Sequence, residues 1–289
     1  MAEQCVQPPH HAYHTCLGVV LCLGTFVSYL PQCVKIVSRR SSEGYSPYFL
    51  LLGTVSGFGK VNNIILLQLG AFLCCPTWGV GSCLINTLGT WQIFIQWSAF
   101  FAVFVLYYLY FPGHLKDVPS VAANNLIQVS PEWAAARVVG LVVVCLMTVT
   151  TAVSVAVVTS YGPQAWVVRS WAGALGIASL AIACLQYVPQ IWKTWHRRSV
   201  GALSIPAMLL QTPGGYLFAY SIYVRPGANW TSWISYVLAA SLQGVLLVLC
   251  IAWNYRDRRR ETAVLDGHRS AEQRSAATER STLLTSDRP

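Results

Sequence analysis

Seven long runs of apolar residues, separated by short polar stretches, set the pattern of this chain. They predict helices at about 17–37, 46–69, 84–111, 137–160, 171–193, 203–224 and 232–254. Each is long enough to cross the hydrocarbon core of a bilayer, which takes roughly 20 helical residues. In lipid every backbone N–H and C=O must be paired within its own segment, so lone runs of this length are helices rather than strands. Tyr107, Tyr108, Tyr110, Trp166, Trp171, Trp192, Trp195, Trp230, Trp233 and Trp253 lie near the run ends, the depth that amphipathic rings favour. Met1 to His14 carry no basic n-region, and the first run is followed by six others. The first run therefore reads as a retained span and not as a cleaved signal peptide.

Composition agrees with lipid as the main solvent. The 289 residues are 55% hydrophobic and 10% charged, against roughly 25% charged in a soluble domain. Seven spans leave little length for a separate soluble domain. The net charge of +9 does not point to nucleic acid, because the basic residues sit in short clusters beside apolar runs. Lys35, Arg39 and Arg40 flank the first loop. His114, Lys116 and Arg137 flank the third. Lys193, His196, Arg197 and Arg198 fill the fifth, and Arg256, Arg258, Arg259 and Arg260 open the tail. The even loops carry only Arg169 and Arg225. The positive-inside rule then puts the basic segments in the cytosol and the N-terminus in a lumen, which requires an odd number of spans.

Cys22, Cys33, Cys145, Cys184 and Cys250 fall inside apolar runs and read as small buried hydrophobes. Cys5, Cys16, Cys74, Cys75 and Cys83 fall near the lumenal face, which leaves a disulfide among them open. Asn229-Trp230-Thr231 is a glycosylation sequon on that face, so close to the last span that it is expected to stay unused.

The chain repeats itself. The segment from Tyr29 reads Y-L-P-Q-C-V-K-I-V-S-R-R-S, and the segment from Tyr187 reads Y-V-P-Q-I-W-K-T-W-H-R-R-S, at an offset of 158 residues. The same register pairs Pro31 with Pro189, Gln32 with Gln190, Lys35 with Lys193, Ser46 with Ser204, Thr54 with Thr212 and Gly57 with Gly215. Both copies leave the membrane on the same side, so the repeats are parallel and related by an axis along the membrane normal. Repeats of this kind build transporters with a site at their interface near the midplane. The fold class expected is an all-α polytopic membrane protein of two parallel three-helix repeats joined by a linker helix. Its parts are a lumenal leader (1–16), the first repeat (17–111), a cytosolic loop and linker helix (112–160), the second repeat (171–254) and a disordered cytosolic tail (255–289).

The duplicated Pro-Gln motif, with a basic loop after each copy, resembles the PQ-loop family, which includes cystinosin, the lysosomal and vacuolar cationic amino acid exporters and, more distantly, the SWEET sugar transporters. The resemblance covers roughly residues 17–255. It implies a pair of three-helix bundles around a central cavity, alternating access, and export of a small solute such as an amino acid from a lysosome or vacuole, in many members coupled to protons. This chain departs from those patterns in having no Asp or Glu inside a predicted span. The nearest acids are Glu43, Asp117 and Glu132, and the charge in span two is Lys60.

Several residues are candidates for function. Pro31 and Pro189 each remove a helical hydrogen bond, and with Gln32 and Gln190 they form either a pair of gating hinges or static kinks satisfied by neighbours. Lys60 lies well inside a span, where a charge costs several kcal/mol unless it faces a wet cavity or a partner. It either meets a carboxylate or phosphate of a substrate or snorkels to the interface. Asn62 and Asn63 either line the same cavity or glue helices together. Gln211, before the break at Pro213-Gly214-Gly215, and Tyr216 are further substrate-binding candidates, and Gln68, Gln92, Gln96 and Gln243 add polar points along the spans. His10, His11 and His14 do not make a metal set with the other histidines, no catalytic triad, P-loop or zincin pattern occurs, and neither a cofactor nor an enzyme activity is expected. Glu279-Arg-Ser-Thr-Leu283-Leu284 resembles an acidic dileucine sorting signal for a coat adaptor. A sorting receptor or membrane scaffold on the same architecture is the competing reading. A G-protein-coupled receptor would match the span count and leave the repeat unexplained.

Overall fold

The computed structural model describes residues 5, 12–42, 45–113, 116–119, 127–198, 205–225 and 228–286, with the backbone alone described at 117–119, 127–129, 189, 190, 193, 197, 207, 261 and 263–286. Glu43 and the ends of the first and fifth loops lie outside the described residues. The order of elements is α1 (Ala12–Arg39), α2 (Pro47–Leu67), α3 (Leu69–Trp78), α4 (Val80–Asn86), α5 (Leu88–Leu109), β1 (Asp117–Pro119), β2 (Ile127–Val129), α6 (Pro131–Tyr161), α7 (Trp166–Arg197), α8 (Ile205–Tyr223) and α9 (Trp230–Ser286). All seven apolar runs are helical, and the protein is a polytopic all-α membrane protein. Six helices are long and apolar enough to cross a membrane: α1, α2, α5, α6, α7 and the first part of α9. The seventh, α8, falls outside that set because its 19 residues include Gln211, Pro213, Gly214 and Gly215.

Three features differ from the sequence expectation. The second loop is not irregular. It holds α3 and α4, tied by disulfides Cys5–Cys74 and Cys75–Cys83, while Cys16 is free. The third loop closes as a short antiparallel hairpin that pairs Asp117 with Val129. The tail, expected to be disordered, continues α9 to Ser286. That stretch is rich in Arg, with Ala, Glu and Leu between, all good helix formers, so local propensity extends a helix that the membrane already nucleates.

The repeat is visible in the packing. Within the first unit α5 lies between α1 and α2, and within the second α9 lies between α7 and α8. Each first helix ends on a left-handed arginine, Arg40 at φ 47° and Arg198 at φ 51°, at matching places in the two copies. The linker α6 opens on Ser130, whose Oγ accepts from Trp133 N at 3.1 Å, with Pro131 and Glu132 in the first turn. A capping oxygen, a proline and an acid there each favour a helix start. Helix α6 then packs across α2 and α7.

Helices α2 and α7 form the tight seam between the repeats. Ser56 Oγ donates to Ser179 O at 2.9 Å, and a Cβ on Gly59 would run into the Ser179 hydroxyl. Gly59→Leu is expected to cost about 1–3 kcal/mol by overpacking, seen as a lower unfolding midpoint in detergent. Gly70→Leu, in open space, should change little. Equal effects would show that the seam is not the cause.

Candidate functional site

The corresponding seam on the other side, α1 against α8, is loose. Helix α1 packs firmly on α5 and only lightly on α8. The repeat relation makes α1/α8 the counterpart of α2/α7, yet α6 reinforces only the latter. A cavity of about 390 Å³ lies between the two repeats, with walls from α1, α2, α5, α7, α8 and α9. Val20 and Leu210, both on its wall, are exposed, which places an opening at the loose seam. A smaller chamber of about 80 Å³ shares Tyr29, Lys60, Gln96 and Tyr236 with it.

Among the residues that line the cavity, Lys60 is the one with a charged side chain. The Lys60 ammonium stands over the Tyr236 ring, 4.6 Å from its centroid, a contact worth about 1–2 kcal/mol to a desolvated cation. Tyr29 and Tyr187, first residues of the duplicated Y-x-P-Q motif, both face the cavity. Gln211 and Gln243 join across it, Gln243 Nε2 donating to Gln211 Oε1 at 2.8 Å. The apolar spans contain no Asp or Glu, so Lys60 has no carboxylate partner within them.

Away from the basic loops, two buried clamps join the repeats beyond the cavity. Asn63 on α2 donates from Nδ2 to Ala172 O of α7 (2.7 Å) and to Thr231 Oγ1 of α9 (3.1 Å), and accepts at Oδ1 from Ser232 Oγ (2.9 Å). Its counterpart in the second repeat, Ser221 on α8, pairs with Gln92 of α5. Gln92 Nε2 donates to Ser221 Oγ at 3.0 Å and to Gly18 O of α1 at 3.4 Å. Gly18 and Gly176 stand at matching positions, and each lets a neighbouring side chain come close. The clamps share a plan across the pseudo-twofold: the second helix of each repeat bonds the third helix of the other, and Asn63 also reaches the first.

The sequence candidates divide accordingly. Lys60 and Gln211 share the cavity. Asn63 is 1% exposed and serves a clamp. Asn62 Nδ2 bonds its own helix at Phe58 O (3.0 Å), and Tyr216 Oη pairs with Ser241 Oγ (2.8 Å) on an exposed face. Neither residue lines the cavity. Helix α1 runs unbroken through Pro31, which is exposed, with Gln32 half-buried. The α7 backbone is likewise continuous at Pro189 and Gln190, whose side chains lie outside the described residues, as do those of Glu279, Leu283 and Leu284. Tyr29, Tyr187 and Tyr236 were not among the candidates. The first two carried a signal, since they open both copies of the repeat.

A family model described as PQ loop repeat matches residues 13–70 and 171–231, the stretches that hold α1 with α2 and α7 with α8. Uncharacterized protein C4C5.03 of Schizosaccharomyces pombe is 33% identical over 259 residues, covering 84% of this chain and 81% of that protein. Two internal copies of the repeat in sequence, two matching helix triplets in space, and a full-length relative lead to one statement: the chain belongs to the PQ-loop repeat family of multi-pass membrane proteins.

Proposed function

We propose that this protein carries a small solute across an organelle membrane by alternating access, with the cavity between the repeats as its binding site. The observation that carries this reading is the position of Lys60: a cation on the wall of a chamber at the pseudo-twofold interface, with no acid beside it in the spans. A volume of about 390 Å³ lies in the range of small-molecule sites, about 300–1,000 Å³, and suits an amino acid. Lys60 would take a carboxylate or phosphate of the solute, and Gln211, Gln243 and the tyrosines would orient its other polar groups. The Asn63 and Gln92–Ser221 clamps close one end, and the loose α1/α8 seam leaves the other side free to move. Pro31 with Gln32, and Pro189 with Gln190, would act as the paired hinges. We place the basic loops in the cytosol, and we assign the protein to a lysosomal or vacuolar membrane, with Glu279, Leu283 and Leu284 as the signal read by a coat adaptor.

The test is flux. Pure protein in liposomes should take up one class of labelled amino or organic acid saturably, and a proton gradient should reveal any coupling. A Pro31→Leu/Pro189→Leu variant that inserts normally should be slow; a normal rate would remove the hinges from the mechanism. Silence across a panel of solutes, with folded protein confirmed, would move the reading to a sorting receptor or scaffold.

A further inference from the structure

A second cation lies at the opposite end from the basic loops, and the cavity does not account for it. Arg225 sits between α8 and α9, its backbone fixed by Arg225 N→Ile222 O (3.2 Å) and Ala228 N→Arg225 O (3.2 Å). Its side chain turns inward across α1 and α5. Nη1 donates to Ile85 O at 3.4 Å. Nε and Nη2 are sealed from solvent and have no hydrogen-bond partner among the described residues.

The surroundings make this arrangement costly as it stands. The guanidinium lies against Gly18, where a Cβ would collide with Nη2, and its Cδ comes within 3.0 Å of the place a Cβ on Gly89 would take. Gly89 is the second residue of α5, so the side chain lies where α4 ends and α5 begins, with Thr87 alone between them, and its carbonyl partner Ile85 belongs to the last turn of α4. A buried charge needs partners, and two of the three guanidinium nitrogens find none among the described residues. Gln68 stands beside the same point, its Nε2 3.8 Å from the Gly89 position, while its Oε1 accepts from Thr90 Oγ1 at 2.6 Å. The amide N–H groups are thereby turned away from that bond. Guanidinium N–H groups and a glutamine amide are all donors, and among the described residues no Asp or Glu side chain answers them. Glu3 is the acid that precedes α1, and it lies outside the described residues.

We infer that Arg225 and Gln68, at the junction of α4 and α5, form a binding site for a small anion, a carboxylate or a halide, one turn beyond the Gln92–Ser221–Gly18 clamp that closes the cavity. The clamp separates this site from Lys60. Under the carrier reading, an anionic solute would meet Arg225 first and Lys60 second. The site itself stands on its own geometry and does not depend on transport.

The experiment is a binding titration on the full chain purified in detergent, at constant ionic strength set with sodium isethionate, whose bulky sulfonate fits poorly. Sodium acetate and sodium chloride are each titrated while the unfolding midpoint is followed. A saturable rise with either ion that persists in Lys60→Met supports the site; acetate alone identifies a carboxylate site, and chloride an inorganic one. Arg225→Gln should weaken that binding by about tenfold or more, the scale expected when a charge-assisted donor is lost. Lys60→Met should leave it in place, which separates this site from the cavity. Bromide soaked into crystals of the wild-type chain gives a readout that needs no variant: an anomalous peak at hydrogen-bonding distance from Arg225 supports the inference. Identical titrations for wild type and Arg225→Gln, or no saturation and no bromide peak in the wild type, would overturn it. So would a Glu3→Gln variant that alone creates anion binding, because the guanidinium would then be paired within the chain.

Discussion

Lys60→Met is expected to lower the specificity constant for uptake of a carboxylate-bearing solute on the order of 100-fold, in line with the 2–5 kcal/mol that losing one partner of a buried charge pair costs. The methionine keeps the length and apolar stem of the lysine and removes its charge. It should not harm the fold. A charge held in a membrane interior costs several kcal/mol, and the Tyr236 contact at 4.6 Å returns only part of that. Unliganded Lys60→Met should therefore unfold at the same temperature as the wild type or higher. This opposite movement of stability and uptake separates a substrate residue from a structural one, for which both would fall together. Lys60→Arg should retain part of the uptake. A Lys60→Met protein that inserts normally and transports the same carboxylate at the wild-type rate would dismiss the assignment, whatever its stability.

Asn63→Ala carries the largest expected loss of stability. Asn63 spends both of its polar atoms on partners in other helices, α7 and α9, with distances of 2.7, 3.1 and 2.9 Å. Interhelical hydrogen bonds inside membranes average about 0.6 kcal/mol and reach about 1.7. Three such bonds, together with the gap left by the amide, give an expected loss of about 2–4 kcal/mol. Ser221→Ala at the matching place should cost less, because Gln92 keeps its bond to Gly18 O. Reversible unfolding in mixed micelles measures both. If Asn63→Ala proves no less stable than Ser221→Ala, the three-way clamp is not the main tie between the repeats. Under the carrier reading the same variant also loosens the closed end, so a cysteine probe placed at the buried Ser235 of α9 should label faster in it than in the otherwise wild-type background.

The seven helices, their alternating direction and the twofold repetition could be read from residue order. They rest on local physics: a run of about 20 apolar residues has one stable form in lipid, and a duplicated motif needs only a constant offset to be seen. The roles of individual polar residues could not be read in this way. Asn62 and Asn63 are adjacent in sequence, yet one bonds its own helix and the other holds three helices together, because successive helical positions point about 100° apart. Tyr216 and Gln211 lie on one short helix, yet only Gln211 reaches the cavity. The pairing of Cys5 with Cys74 and of Cys75 with Cys83 depended on how α3 and α4 fold back, a matter of path and not of spacing. Arg225 read as an exception in a loop poor in positive charge; its burial against Gly18 and Gly89 appears only when α1, α5 and α8 are brought together. Residue order thus determined which segments are apolar helices and that they form two equivalent sets. The tertiary structure decided which seam is tight, which is loose and which polar groups face one another, because those depend on the rotation of each helix about its axis and on contacts between residues more than a hundred positions apart.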